Sequence, residues 1–261
     1  MNSLRIFFYG GLMSYRAQFN WLNPWILVPT LMVQPLAQIF LFAYIGRAAG
    51  VGSDEFYLIG NALNFAVIPC LFAMGATISG ERWTQTLELV FATPARRLPL
   101  FLGRALPVIL NGWAVAMFGL VVGSLLLDVH IDPGAWPVIA LVVATTSFSC
   151  SGLGLVMGAV ALKTRDNATL ANVLFLVLLV FCGTNVPLDS MPGWIRATSS
   201  WLPLTHGIQA ARAVADGAAF SAVDNLLLSE FGLGLLYLGL GIVMLRGFEH
   251  LSRRGASLTQ M

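Results

Sequence analysis

The chain has 261 residues, 57% of them hydrophobic and only 10% charged, with a mean hydropathy of +0.81. A soluble domain carries about a quarter charged residues, so this chain cannot wet an ordinary globular surface and lipid must cover what charge usually covers. The net charge of +2 says little by itself; its placement along the chain says more, and no nucleic-acid partner is expected.

Taken from the start, residues 3–23 mix Arg5 and Arg16 with Phe7, Phe8, Leu12, Phe19 and Trp21. No uninterrupted apolar core precedes a small-residue cleavage site, which argues against a signal peptide. The mixture suits an amphipathic helix lying in the membrane interface, or a plain leader into the first span. A crossing helix needs about 20 apolar residues, and six stretches qualify: 25–46, 57–79, 105–127, 136–162, 168–187 and 225–245. The expected fold is an all-α polytopic membrane protein, a single domain over 1–261. The fourth stretch is long enough to tilt or to project past the bilayer.

Lys and Arg in short loops set orientation. With the N-terminus inside, Arg5, Arg16, Arg82, Arg96, Arg97, Arg104, Lys163, Arg165, Arg246, Arg253 and Arg254 share the inner side, leaving Arg47, Arg196 and Arg212 outside. Asp54, Glu55, Asp128, Asp132, Asp189, Asp216 and Asp224 gather outside. Both termini are therefore expected in the cytoplasm, and an odd number of spans would spoil the asymmetry.

No Lys, Arg, Asp or Glu lies near the middle of a span; Arg104 and Glu230 fall near span ends, within reach of the interface. Ion- and proton-coupled carriers place titratable groups at depth, so a secondary carrier or proton channel is disfavoured and driving force is expected from elsewhere. Uncharged polar groups do occur in the spans: Gln34, Gln38, Asn61, Asn64, Asn111, Thr145 to Ser151, Asn172, Thr184 and Asn185. In lipid these serve as interhelical hydrogen bonds or as part of a polar path. Gly119 with Gly123 and Gly154 with Gly158 permit close helix contact, and Pro29, Pro35 and Pro69 are candidate kinks.

Cys70, Cys150 and Cys182 sit in apolar runs without metal spacing, and His130, His206 and His250 are isolated. No metal site is expected. Lys163-Thr164 follows leucine where a phosphate-binding loop requires glycine, and no nucleophile elbow, zinc helix or paired-carboxylate arrangement occurs. The chain therefore has no expected catalytic residue.

The most informative segment is 80–94. On helical spacing Trp83, Leu87, Val90 and Phe91 form an apolar stripe, while Glu81, Gln85 and Glu88 form a polar one. Thr93-Pro94 ends it. Such a helix either rests among headgroups or offers its charged face to a cytosolic partner, and periodicity does not choose between these.

Glu81, Arg82, Thr86, Leu87, Glu88, Leu89, Thr93 and Pro94 resemble the signature of ABC-2 type transporter permeases, with Gln85 where glycine is usual. Pro192-Gly193-Trp194-Ile195 through Leu202-Pro203-Leu204-Thr205 to Arg212, and Asn23-Pro24 ahead of the first span, are similar to other parts of that family. The resemblance implies the membrane subunit of an ATP-binding cassette exporter in a bacterial plasma membrane. Two permeases, identical or paralogous, would pair above two separate cytosolic ATPase subunits. ATP and Mg would belong to the ATPase, and this chain would hold no cofactor.

The implied coupling helix places Glu81, Arg82, Gln85, Glu88, Thr93 and Pro94 at the ATPase interface. The implied re-entrant segment 188–212 makes Asp189, Trp194 and Trp201 external gate residues, or simple interface anchors. Spans one, two and five would line the path, with Gln38, Asn64 and Asn185 as candidate lining residues. The expected cargo is a hydrophobic drug, antibiotic or lipid-linked compound, with polysaccharide or lipo-oligosaccharide as the alternative. The rivals are an ATP-independent channel or carrier and a membrane-embedded enzyme.

Overall fold

A computed structural model describes residues 32–50, 52–83, 97–164 and 166–256. Within them the chain forms α1 (Gln34–Ala49), α2 (Asp54–Trp83), α3 (Arg97–Leu127), α4 (Trp136–Thr164) and α5 (Asn167–Phe181). A single 3-10 turn (Leu188–Ser190), α6 (Gly193–Ser199), α7 (Thr205–Ala215) and α8 (Phe220–Ala256) follow, and no strand occurs among the described residues.

Among the described residues four helices are long and apolar enough to cross a bilayer, over Asp54–Ala76, Ala105–Leu127, Trp136–Ala161 and Phe220–Gly247. They correspond to the second, third, fourth and sixth expected spans. For the first, α1 covers Gln34–Ala49 and the stretch before residue 32 lies outside the described residues, as does the interfacial segment 3–23. The fifth departs from expectation. α5 has 15 residues, about 22 Å at 1.5 Å per residue, against a hydrocarbon core of about 30 Å.

The reason is local. Cys182 caps α5 through its N–H to the Leu178 carbonyl, and Gly183 follows at φ 75, a left-handed turn that glycine adopts without cost. Residues 182–187 therefore turn back, and Thr184 and Asn185 lie beyond the helix.

The helices run alternately up and down. Gly112 of α3 sits against Cys70 of α2, Gly119 against Ala62 and Gly123 against Leu58, so α3 is antiparallel to α2. α4 runs with α2: Gly154 abuts the Cys70 carbonyl and Met74, where any side chain would strike backbone. α8 runs with α4, Gly234 lying on Phe148 and Ser149, and Gly241 on Leu155. The α1–α2, α3–α4 and α5–α8 connections thus share one end of the bundle, and the α2–α3 and α4–α5 connections the other.

Burial separates a centre from a rim. The spans of α2 and α4 are 78% and 67% buried, those of α3 and α8 only 44% and 28%. Most of the α8 span is left uncovered by the other described elements, with Leu228, Phe231, Leu235, Leu240 and Val243 exposed. The hydroxyls of α4 are mostly turned back onto their own helix: Thr145 Oγ1 donates to the Leu141 carbonyl (2.9 Å), Thr146 to Val142 (2.9 Å) and Ser151 to Ser147 (2.8 Å). This is how helices satisfy hydroxyls in lipid, and it removes these three from the list of path-lining groups.

Both kinds of connection are pinned. At the α1–α2 turn the Arg47 Nε donates to both oxygens of Asp54 (2.8 and 2.9 Å), closing it across Gly50. At the α4–α5 turn the Thr169 N–H donates to Asp166 Oδ1 (3.0 Å), a side-chain N-cap. The Thr169 hydroxyl and N–H hold the Asp166 carboxyl below its usual range. The cap's contribution is full above the ordinary carboxylate pKa and fades as pH falls through the lowered one.

Two further expectations change. α2 does not end before the 80–94 segment: it runs unbroken through Gly80, Glu81 and Arg82 to Trp83. The remainder of that segment, with Gln85, Glu88, Thr93 and Pro94, lies outside the described residues. α8 starts at Phe220 rather than 225 and extends to Ala256, which moves Glu230 about 15 Å along the helix from its start. The expectation that Glu230 reaches the interface fails: the residue is fully buried.

Candidate functional site

Four elements meet around the first half of α2. Asn61, fully buried, is the hub. Its Nδ2 donates to its own helix at the Tyr57 carbonyl (2.9 Å) and to Asn185 Oδ1 (2.8 Å) in the turn after α5. Its Oδ1 accepts from Gln38 Nε2 (3.0 Å) on α1. A continuous amide relay thus links α1, α2 and the 182–187 turn. Of the three expected path residues, Gln38 and Asn185 are joined through Asn61.

Asn64, the third expected path residue, sits one turn further along α2. It is fully buried and neither of its amide atoms has a partner among the described residues. An unpaired buried amide costs free energy and is a position from which a polar group of a ligand, or a water, would gain.

Arg212 of α7 locks the same junction. Its Nη1 donates to the Gly183 carbonyl (2.9 Å), and its Nη2 donates to the carbonyls of Thr184 (2.9 Å) and Phe56 (2.9 Å). The guanidinium lies 3.5 Å from the Phe56 ring centroid, a cation–π contact. Gly60 is what lets the Thr184 carbonyl approach α2, since a Cβ there would collide with it and with Arg212. A planar five-donor fork can serve three carbonyls at once, which a lysine ammonium cannot do in the same geometry.

The second junction joins α7 to α8. Glu230 Oε1 accepts from the Leu204 N–H (2.7 Å) and Oε2 from the Gly207 N–H (3.3 Å). A carboxylate therefore satisfies two of the free donors at the start of α7 and faces the positive end of its dipole. Leu204, at φ 86, holds a conformation rare for a branched side chain. Ser199 Oγ donates to the Phe181 carbonyl (2.8 Å), and Tyr237 Oη donates to the Trp201 carbonyl (2.8 Å). The corner at 199–207 is thus tied to the end of α5 and to α8.

The expected gate residues lie on this segment but not at its buried joints. Asp189 is exposed on the 3-10 turn. Trp194, with its ring edge toward Phe181 at 6.1 Å, and Trp201 are each 65% exposed, the disposition of indoles that anchor at an interface. An open cavity of about 370 Å³ lies between Trp201, His206 and the Ser229–Leu236 stretch of α8. Among the described residues no three His, Cys, Asp or Glu gather as metal ligands.

Sequence reasoning passed over the residues that do the joining. Glu230 carried a signal, a lone carboxylate in an apolar run, which in a membrane helix marks a functional or structural joint; the expected span boundary hid it. Arg212 resembled one more exterior cation. Asn61 was noted as polar, but nothing in the sequence made it the hub. Replacing Asn61 by leucine strands Gln38 Nε2 and Asn185 Oδ1. We expect a loss of about 1 kcal/mol, read as a fall in thermal midpoint, with Gln38→Leu/Asn61→Leu costing less than the sum of its singles.

An all-helical bundle with four apolar spans, no soluble domain among its described residues and a buried polar junction at one end defines a multi-pass membrane protein. The model of the ABC-2 type transporter family matches residues 11–215, and the chain belongs to that family. It is 24% identical over 198 residues to the inner membrane transport permease YhhJ of Escherichia coli (strain K12), covering 72% of this chain and 50% of YhhJ. It is 26% identical over 198 residues to the daunorubicin resistance ABC transporter permease protein DrrB1 of Streptomyces coeruleorubidus, covering 72% of this chain and 68% of DrrB1. The chain thus spans about half the length of YhhJ. It is a multi-pass protein of the bacterial inner membrane.

Proposed function

We propose that this chain is the membrane subunit of an ATP-driven exporter, paired with a second permease and powered by two copies of a separate cytosolic ATPase. ATP and Mg act in that partner; this chain moves cargo and catalyses nothing. The observation that supports the reading best is the continuity of α2. One helix of 30 residues, about 45 Å long, runs from the Asn61–Arg212 junction into Glu81-Arg82-Trp83, where the family motif begins. Force on the motif is delivered along a rod to the opposite end of the membrane.

In this reading both termini and the 80–94 segment are cytoplasmic, and the 182–217 segment faces out. ATP binding closes the ATPase dimer and shifts the permease pair between two states. The Gln38–Asn61–Asn185 relay and the unpaired Asn64 amide form the polar part of the path, in a wall that is otherwise apolar. That mix suits a bulky amphiphile with few polar groups: a hydrophobic drug, antibiotic or lipid-linked compound. The likeness to DrrB1, named for daunorubicin resistance, supports the same class over a polysaccharide.

The buried carboxylate of Glu230 is the observation that would favour a proton-coupled carrier. Its two oxygens already serve backbone N–H groups of α7, which suits a joint better than a proton relay. Isolation in mild detergent is expected to bring down a nucleotide-hydrolysing partner, and transport by the chain alone in liposomes would overturn the proposal. A thiol placed at Thr84 is expected to react with an impermeant reagent only from the cytoplasmic side; labelling from outside would reverse the orientation.

A further inference from the structure

We infer that Glu230 fastens the outer segment to α8 so that the two move as one body, and that release opens the opposite seam, between that body and the outer end of α2. The inference rests on the exporter reading and adds which joint stays shut and which one parts.

α8 grips the 199–207 corner at two levels two turns apart. Glu230 holds the Leu204 and Gly207 N–H groups, and Tyr237 Oη holds the Trp201 carbonyl at 2.8 Å. The Glu230 side chain has no solvent contact, so water cannot replace either N–H while the chain is folded, and opening would leave a carboxylate bare in low dielectric. Leu204 at φ 86 is a shape that persists only where its surroundings over-determine it. Ser199 Oγ to the Phe181 carbonyl and Cys182 Sγ toward the Pro203 carbonyl (3.5 Å) add the end of α5 to the same body.

The seam with α2 is built differently. Two hydrogen bonds link α2 to the 182–187 turn and α7: Arg212 Nη2 to the Phe56 carbonyl (2.9 Å) and Asn61 Nδ2 to Asn185 Oδ1 (2.8 Å). Phe56, Arg212 and Asn185 are each partly exposed, so water can take over three of the four partners as the seam parts, and only Asn61 is fully buried. The remaining two bonds of Arg212, to Gly183 and Thr184, lie within the body and keep the guanidinium seated when Phe56 leaves. Of the two joints, the one whose partners are mostly within reach of water opens at lower cost.

The test bridges each joint with a short reducible bifunctional thiol reagent, using the chain with its ATPase partner in liposomes. Ser200→Cys with Gly232→Cys spans the α8 joint, both residues lining the open cavity there. Glu55→Cys with Asp216→Cys spans the seam, these two carboxylates lying within electrostatic reach of one another. The first bridge is expected to leave ATP-driven transport within about twofold of the unbridged protein. The second is expected to stop it, with recovery on reduction. Arrest by the first bridge, or free transport with the second, overturns the inference.

If the unbridged protein shows no ATP-driven transport, the exporter reading itself has failed, and the Glu230 joint is still read by amide hydrogen exchange. The Leu204 and Gly207 amides are expected to exchange as slowly as the middle of α8, and at least about tenfold faster in Glu230→Ala. Glu230→Gln, which keeps the shape and one acceptor oxygen, is expected to fall between and covers an alanine variant that does not fold. Exchange unchanged in the folded variants would overturn the joint.

Discussion

Arg212→Ala is expected to lower the thermal midpoint of the detergent-solubilised protein by roughly 6–12 °C, the equivalent of about 3 kcal/mol in a chain of this size. The substitution removes three charge-assisted hydrogen bonds to the carbonyls of Gly183, Thr184 and Phe56 and the stacking on the Phe56 ring. Each such bond contributes about 1.5–3 kcal/mol when measured alone, but the three share one guanidinium and the junction is partly wet, so their sum overstates the loss. What remains after truncation is a turn whose carbonyls point into the space the side chain occupied, where arriving water restores part of the loss. Arg212→Lys keeps the charge but offers a point donor on a flexible stem, and is expected to recover less than half of the difference. A midpoint within about 2 °C of the parent for Arg212→Ala would mean that the α2 junction is held by packing alone.

How far the sequence disclosed this arrangement depends on the length scale of each signal. Long apolar runs identify four spans among the described residues because lipid demands about 20 residues of one character, and the apolar spans within α2, α3 and α4 (Asp54–Ala76, Ala105–Leu127 and Trp136–Ala161) fall close to the expected bounds. The fifth run ends earlier than expected for a reason hydropathy averages away: Cys182 and Gly183 are themselves apolar or neutral, yet the φ of 75 at Gly183 ends the helix geometrically. The missing five residues at the start of α8 have a larger consequence. Counted from 225, Glu230 sits near a membrane end; counted from Phe220 it lies three turns in, fully buried.

The polar relay was half legible. Polarity within an apolar run marks Gln38, Asn61 and Asn185, but their joining depends on bringing together residues 23 and 124 positions apart. One-dimensional spacing carries no such information. The same holds for Arg212, which reaches back 156 positions to Phe56. Charge asymmetry counts such residues by side of the membrane and is blind to whether they face water or backbone carbonyls. Family likeness was legible where residues are contiguous, in Glu81 to Pro94, since a short motif needs no knowledge of the fold.

In the family motif beyond the described end of α2 at Trp83, Glu88→Lys is expected to abolish association with the ATPase, lowering recovery of the co-purified partner by at least about tenfold, while insertion and thermal midpoint stay unchanged. On helical spacing Glu81, Gln85 and Glu88 form one face, so a groove that receives it must present donors or positive charge. Reversing one charge there places like against like, at a cost of several kcal/mol for a desolvated pair. Glu88→Gln removes the attraction without adding repulsion and is expected to weaken association less than Glu88→Lys. The contrast with Arg212→Ala separates the outer junction from the motif. Arg212→Ala should loosen the fold yet leave the partner bound, whereas Glu88→Lys should leave the fold intact and lose the partner. In this comparison a Glu88→Lys protein that still retains its ATPase in parental amounts would remove that residue from the interface. A Glu88→Lys protein that melts early would instead place residue 88 within the packed body, where the polar stripe would be a fold element and not a docking face.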